Sequence, residues 1–270
     1  MEDPNHYKVT DIKDVTSLKI KFGKIKLSDE EIHVAFKTPR RCEMEKEIEF
    51  LQSLSDMFVV RCFGIGEYID ISGERVLGMI TQRARMDLFS AIFENNVSLD
   101  QEQVFMIIFK LANCINYIHN MGVFHRDIKP ENVLIRDLGS MVDVCLFDFD
   151  LSSFIEENDS KTYGTGIYSP PENNDQILSF PADVFAFGGC ILALLLKRFP
   201  KGGLRTIDLY KANRHKFSGP IMDVMDRIMI PDPTQRPTMD EIVEILRPMF
   251  SLCQGVIHTL YDESPEDDFI

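Results

Sequence analysis

The 270-residue sequence predicts an α+β protein in two parts, with a short acidic tail at residues 261–270. The first part, residues 1–83, reads as a small antiparallel sheet with one main helix, and the second, residues 84–260, as a larger and mostly helical body. Three observations carry this reading. Apolar residues alternate at Leu18, Ile20, Phe22 and again at Ile25 and Leu27, the period of a half-buried strand. Beyond residue 83 the apolar spacing becomes that of helices, as at Val104, Ile108, Leu111, Ile115 and Ile118. Nothing repeats internally, and only the stretch 262–268, with five acids and a proline, has the composition of a solvated segment.

Taken in order, residues 9–37 predict strands interrupted at Gly23 and by a turn over Ser28 to Glu31. Residues 42–54 place Met44, Ile48, Leu51 and Leu54 on one helical face. Two further strands, 59–67 and 75–82, flank an Asp-Ile-Ser-Gly turn and complete the sheet. A helix over 87–93 follows, then a long helix to Asn120 with Ser98 as its candidate cap. The remaining predicted helices cover 182–197, 221–229 and 239–250, each bounded by Pro or Gly.

Composition narrows the function classes. The 44% hydrophobic content is ample for a buried core. The excess of 43 acidic over 29 basic residues leaves a formal charge of −14, which argues against nucleic acid and anionic lipid as partners. Six cysteines, at 42, 62, 114, 145, 190 and 253, form no C-x-x-C pair and read as reduced core residues. The longest apolar run, 185–196, would extend only about 18 Å as a helix against roughly 30 Å of hydrocarbon, so it reads as a buried helix. The polar, acidic N-terminus has neither a secretory pattern nor a glycine after Met1, and the expected location is cytosolic or nuclear. Oligomeric state is not legible.

The densest chemistry lies in His125, Arg126, Asp127, Ile128, Lys129, Pro130, Glu131 and Asn132, followed by the apolar triplet Val133 to Ile135. Leu146 and Phe147 then lead out of a strand into Asp148, Phe149 and Asp150. Asn132 and Asp148 offer hard oxygens of the kind Mg²⁺ accepts, Asp127 can take a proton from a hydroxyl, and Lys129 can neutralise a phosphoryl oxygen. Together they make a phosphotransfer constellation.

With these residues the chain resembles the eukaryotic-type protein kinases of the serine/threonine type, whose motifs read H-R-D-x-K-x-x-N and D-F-G. Val34, Ala35, Phe36 and Lys37 resemble the strand with the phosphate-anchoring lysine, and Glu47 its carboxylate partner, with Glu43 and Glu45 as nearby alternatives. Gly164, Thr165, Tyr168, Pro170, Pro171 and Glu172 resemble the end of an activation segment, and Asp183 the start of a large buried helix. Asp232, Pro233 and Arg236 resemble the motif whose arginine meets Glu172.

The resemblance implies a two-lobed kinase fold, ATP with Mg²⁺ or Mn²⁺, and a protein substrate. Asp127 and Lys129 would be catalytic, Asn132 and Asp148 would hold metal, and Lys37, Glu47, Leu18, Gly23 and Ile25 would contact the nucleotide. Thr165 would contact the catalytic Asp and Lys. Phe149, His125 and Leu51 would be buried. Arg126 would meet a phosphate on Ser160 or Thr162, or a carboxylate from Glu156, Glu157 or Asp159.

Two departures stand out. Aligned with G-x-G-x-F-G-x-V, the run Leu18 to Ile25 keeps one of the three glycines, Gly23, and the branched Ile20 resists positive φ. Lys19, Lys21 and Lys24 either compensate through charge or only solubilise the strands. Asp150 stands where the metal-binding turn has glycine, and its carboxylate either strengthens metal binding or repels ATP. The implied activity is phosphotransfer to protein hydroxyls. The alternatives are a pseudokinase serving as an interaction or nucleotide-sensing scaffold and, less fitting, a small-molecule kinase.

Overall fold

A computed structural model describes residues 6–14, 20–38, 44–138, 142–154, 166–172, 180–197 and 205–253. These fall into two compact units, one ending at Arg85 and the other starting at Met86. Leu18, Lys19, Cys42, Glu43, the segment 156–165 and the acidic tail lie outside the described residues.

In the first unit, β1 (His6–Lys8), β2 (Thr10–Asp14), β3 (Ile20–Leu27), β4 (Glu30–Lys37), helix α1 (Met44–Ser53), β5 (Cys62–Ile69) and β6 (Arg75–Gln82) follow in order. The sheet order is β1-β5-β6-β4-β3-β2. The two outer strands are therefore consecutive in the chain, with only Val9 between them. Val9 donates its N–H to the Glu67 carbonyl at 2.8 Å while Thr10 already pairs with Lys24, so the chain passes from one sheet edge to the other within a residue. The sheet must curl until its edges approach at that strand, which covers part of each outer edge.

Inside the curl Val9, Ile25, Val34, Phe36 and Ile80 form a buried cluster. Glycine makes the approach possible. A Cβ on Gly23 would lie 2.6 Å from Val9 Cγ1 and 3.0 Å from the Thr10 carbonyl oxygen, and one on Gly66 would lie 2.2 Å from Ile80 Cδ1. The expected all-antiparallel sheet is corrected at one place: β1 runs parallel to β5, with His6 opposite Ile65. The β3–β4 turn is two residues long, and Ser28 adopts a left-handed φ of 54° there. The β5–β6 turn is tied by Asp70, whose Oδ1 accepts from the N–H groups of Ser72 and Glu74 at 2.8 and 2.9 Å.

The second unit begins with β7 (Met86–Asp87), and the helix expected over 87–93 follows it over residues 88–94, π-helical from Ser90 to Glu94. Asp87 accepts from Ser90 N–H and Oγ at 2.7 Å each at its start. The long helix α2 (Gln101–Asn120) is capped by Asp100, not by Ser98. Asp100 accepts from Gln103 N–H and Gln103 accepts from Asp100 N–H, a reciprocal capping box. The predicted apolar face of α2 is buried throughout.

Then come β8 (Val123–Phe124), β9 (Val133–Leu138), β10 (Val142–Leu146), β11 (Ser153–Phe154), α3 (Phe180–Leu196), α4 (Thr206–Asn213), α5 (Gly219–Ile228) and α6 (Met239–Cys253). Short antiparallel sheets join β10-β9-β7 and β11-β8. Helix α4 escaped the sequence reading because its apolar stripe is short and flanked by Arg205 and Arg214. Residues Asp183 to Leu195 of α3 are buried without a break, as an all-apolar helix requires. Among the described residues no helix is long and apolar enough to cross a membrane. Cys62, Cys114, Cys145 and Cys190 are buried free thiols, and burial pushes Cys62 up to about 12.

Gly23→Ala should lower stability by about 1–3 kcal/mol, the scale of overpacking. Thermal unfolding should show a midpoint several degrees below wild type, and an unchanged midpoint would mean that the strand through Val9 is not closely applied to β3.

Candidate active site

The functional side chains sit in two groups, one per unit. In the first, Lys37 ends β4 with only 5% of its surface exposed and donates from Nζ to Glu47 Oε1 at 2.8 Å. Helix α1 presents this carboxylate because Ile48 and Leu51 turn inward, while Glu45 is exposed and Glu43 lies outside the described residues. A buried lysine is tolerable only when its charge is matched, and Glu47 matches it.

Strand register sorts the neighbours of Lys37, since directly opposed residues share a sheet face. Ile20 opposes Lys37, Phe22 opposes Ala35, and Met79 and Thr81 oppose Lys37 and Ala35 on β6. Gly23 opposes Val34, and Ile25 opposes Ile32, on the other face. Ile25 is fully buried among Val9, Val34 and Phe36. The structure thus places Gly23 and Ile25 in the interior of the curl, on the face opposite Lys37, and it is Phe22 that shares the face of the lysine.

In the second unit the loop between β8 and β9 is built around Asp183 of α3. This carboxylate is 2% exposed and accepts from His125 N–H at 2.8 Å, from Arg126 N–H at 2.9 Å and from the His119 ring at 3.1 Å. Burial alone would raise its pKa. The hydrogen bond and charge of His119, with the contributions of His125, outweigh that and hold it below the ordinary carboxylate value. The loop backbone is held so tightly that Arg126 takes a left-handed φ of 68°.

His125 is completely buried. Its Nε2 donates to the Phe147 carbonyl at 3.1 Å, and its Nδ1 accepts from Asp127 N–H at 3.4 Å, which defines the neutral Nε2–H tautomer. Desolvation accordingly lowers its pKa. Asp127, Lys129 and Asn132 converge. Lys129 Nζ donates to Asp127 Oδ2 at 2.6 Å, while Asn132 Nδ2 donates to the same oxygen at 3.0 Å and to the Asp127 carbonyl at 2.8 Å.

With its amide nitrogen so engaged, Asn132 has its carbonyl oxygen to offer a hard cation. Phe147 N–H donates to the backbone carbonyl of Asn132 at 3.0 Å, so the turn carrying Asp148 is tied to the loop from both sides, by His125 and by Asn132. Asp148 is half-buried with φ 64°. An amide oxygen and a carboxylate on one tethered backbone suit Mg²⁺ in kind.

The aspartate at 150 costs no backbone strain: the left-handed position of this turn is Asp148, and Asp150 is not among the positive-φ residues. Ser152 closes the turn, donating N–H to the Phe149 carbonyl at 3.0 Å and Oγ to the His125 carbonyl at 3.2 Å. His125 and Phe149 are buried with ring centroids 4.7 Å apart, and Leu51 is buried in the first unit, as expected. Arg126 donates to the Leu151 carbonyl at 3.4 Å, whereas Ser160, Thr162, Thr165 and the acids 156–159 lie outside the described residues.

Arg236 and Glu172 meet in a buried double hydrogen bond of 2.5 and 2.7 Å, and the guanidinium also donates to the carbonyls of Pro181, Ile230 and Pro231. Removing one partner of such a pair costs about 3–5 kcal/mol. His119 was not singled out from sequence. Its position six residues before His125, at the end of a helix bound for the same loop, was the available signal.

Residues 21–246 match the family model described as protein kinase domain. The chain is 26% identical over 216 residues to a probable myosin light chain kinase of Dictyostelium discoideum, covering 75% of this chain and 44% of that protein. It is 26% identical over 271 residues to CBL-interacting protein kinase 31 of Oryza sativa subsp. japonica, covering 94% and 59%. It is also 30% identical over 154 residues to a probable serine/threonine-protein kinase of Encephalitozoon cuniculi, covering 57% and 28%. The chain therefore belongs to the protein kinase family, with a two-lobed kinase fold, and spans less than two thirds of the length of these relatives.

His125 gives a pH signature. Its folded pKa lies below the ordinary 6.5, so its contribution to stability is complete above that value and is lost as pH falls through it toward the folded pKa. Denaturant midpoints should be level from pH 8 to 7 and fall toward pH 5, with a shallower fall in His125→Asn. Parallel profiles for the two proteins would contradict the buried neutral imidazole.

Proposed function

We propose that this chain is a serine/threonine protein kinase that transfers the γ-phosphoryl group of ATP to a protein hydroxyl. The observation that carries the reading is the Asp127 carboxylate, nearly buried and held on one oxygen by both Lys129 and Asn132. Phosphoryl transfer asks a protein mainly for alignment and charge neutralisation. Asp127 orients the substrate hydroxyl and accepts its proton as the oxygen bonds to the γ-phosphorus and the bond to the β-γ bridging oxygen breaks, releasing ADP. Lys129 neutralises charge on the phosphoryl oxygens, and Lys37, paired with Glu47, binds the nucleotide phosphates. Asn132 and Asp148 would hold Mg²⁺ or Mn²⁺, which supplies charge neutralisation at the phosphates. Lys129 beside the aspartate, and relatives named as serine/threonine-protein kinases, favour serine and threonine over tyrosine.

A pseudokinase is the second reading, favoured by Leu18 and Ile20 at glycine positions and by Asp150. A radiolabelled ATP transfer assay with Mg²⁺ separates the two. Asp127→Asn should keep its fold and lose transfer by roughly a hundredfold or more, the scale of a removed positioned base. Transfer equal in both proteins, or absent from wild type with every acceptor tried, would leave the scaffold reading.

A further inference from the structure

The turn after β10 carries a carboxylate to which the proposed transfer assigns no task. Asp148 and Asp150 flank Phe149, whose buried ring packs on His125 at 4.7 Å. Both acids are half-buried, and a carboxylate oxygen of one lies within 4.8 Å of a carboxylate oxygen of the other. Two oxygens on one ion stand at most twice the metal–oxygen distance apart, about 4.2 Å for Mg²⁺ and about 5 Å for Ca²⁺, so a single divalent cation is within reach of both. Carboxylates this close repel each other, and a cation between them turns that repulsion into attraction.

Asn132 supplies a second, independent observation. The residue is only 4% exposed, its Nδ2 is engaged by Asp127, and its Oδ1 accepts no hydrogen bond among the described residues. An amide oxygen in so enclosed a residue calls for a partner, and a hard cation is one. The backbone carbonyl of Asn132 accepts from Phe147 N–H at 3.0 Å, which sets this residue beside the one that precedes Asp148. The backbone agrees, because Asp150 is not among the positive-φ residues and the turn therefore has no conformational need of glycine there.

We propose that Asp150 is a metal ligand, which with Asp148 and Asn132 gives this chain a divalent-cation site that fills before nucleotide binds. The site itself stands on the residues, and the order of binding rests on the kinase reading. The family motif has glycine at this position, so the added oxygen ligand belongs to this chain. A site with one carboxylate holds Mg²⁺ largely through the phosphates of the substrate, whereas two carboxylates and an amide oxygen neutralise a divalent ion without them. Such an order suits a chain in which Leu18 and Ile20 stand where a phosphate-cradling loop carries glycine. The ion, already in place, supplies positive charge that the missing backbone contacts do not.

Titration of the nucleotide-free full chain with Mn²⁺, read by the electron paramagnetic resonance of the free ion, tests this in wild type, Asp150→Gly, Asp150→Asn and Asp148→Asn. Wild type should take up Mn²⁺ without nucleotide, and both substitutions at Asp150 should weaken that uptake by at least about tenfold. Asp148→Asn should weaken it as much, and all four proteins should unfold at similar temperatures in chelator. Equal or tighter Mn²⁺ binding by Asp150→Gly and Asp150→Asn overturns the assignment, as does a wild type that takes up Mn²⁺ only once ATP is added. Binding of Mn²⁺-ATP by wild type in either case leaves the kinase reading standing. Uptake of Mn²⁺ that depends on Asp150, with no binding of Mn²⁺-ATP, would keep the site and overturn the kinase reading together with the order of binding.

Discussion

The buried carboxylate of Asp183 is the interaction on which the loop between β8 and β9 depends. A charge so deep in an otherwise apolar helix is stable only with its oxygens satisfied, and the donors available are the His125 and Arg126 amides and the His119 ring. Satisfying it pulls three separate segments together: the start of α3, the end of α2 and the loop between β8 and β9. The left-handed backbone at Arg126 is the strain that results, and the hydrogen bonds to Asp183 offset it. Once His125 and Arg126 are fixed, His125 fixes Phe147, Phe147 fixes the approach to Asp148, and Asn132 closes the ring of contacts from the other side. Asp127 then stands in the middle of a loop that has nowhere else to go.

The first unit reaches rigidity by a different route. One strand through Val9 pairs with both sides of its sheet, and two glycines, at 23 and 66, allow that strand to close over the cluster. Closure divides the sheet into an inner face, filled by Ile25, Val34, Phe36 and Ile80, and an outer face that carries Lys37, Ala35 and Phe22. The Lys37–Glu47 pair adds a fixed orientation for the ammonium, which a solvated lysine would not have.

Much of this was legible in the residues. The order of His125, Arg126, Asp127, Lys129, Asn132 and Asp148 points to phosphotransfer because few other tasks need those groups at that spacing, and the periodicity of α2 and α3 needed no partner to be read. Strand parity was harder. Gly23 matches a phosphate-loop glycine in sequence, yet a side-chain period of two means that a shift of one residue changes the face, and only the pairing with β4 shows which side it takes. The parallel β1–β5 pair was invisible because it joins residues 6–8 to 65–67 through a closure no local pattern encodes. The cap of α2 was legible and misread: Asp100 with Gln103 is the stronger box, and Ser98 lies two residues too early. At Asp150 the backbone was not legible either: the turn places its left-handed conformation two positions earlier, at Asp148.

The dependence of the loop on Asp183 is open to one direct measurement, amide hydrogen exchange at His125 and Arg126 in wild type and in Asp183→Asn. The amide side chain keeps the volume but has a single acceptor oxygen and no charge, so it cannot serve both backbone donors and His119 together. Exchange at both amides should be slow in wild type and at least about tenfold faster in the variant, with core amides of α2 little changed, as expected of local opening. Equal protection of His125 and Arg126 in the two proteins would contradict the account, because the loop would then be held by something other than the buried carboxylate.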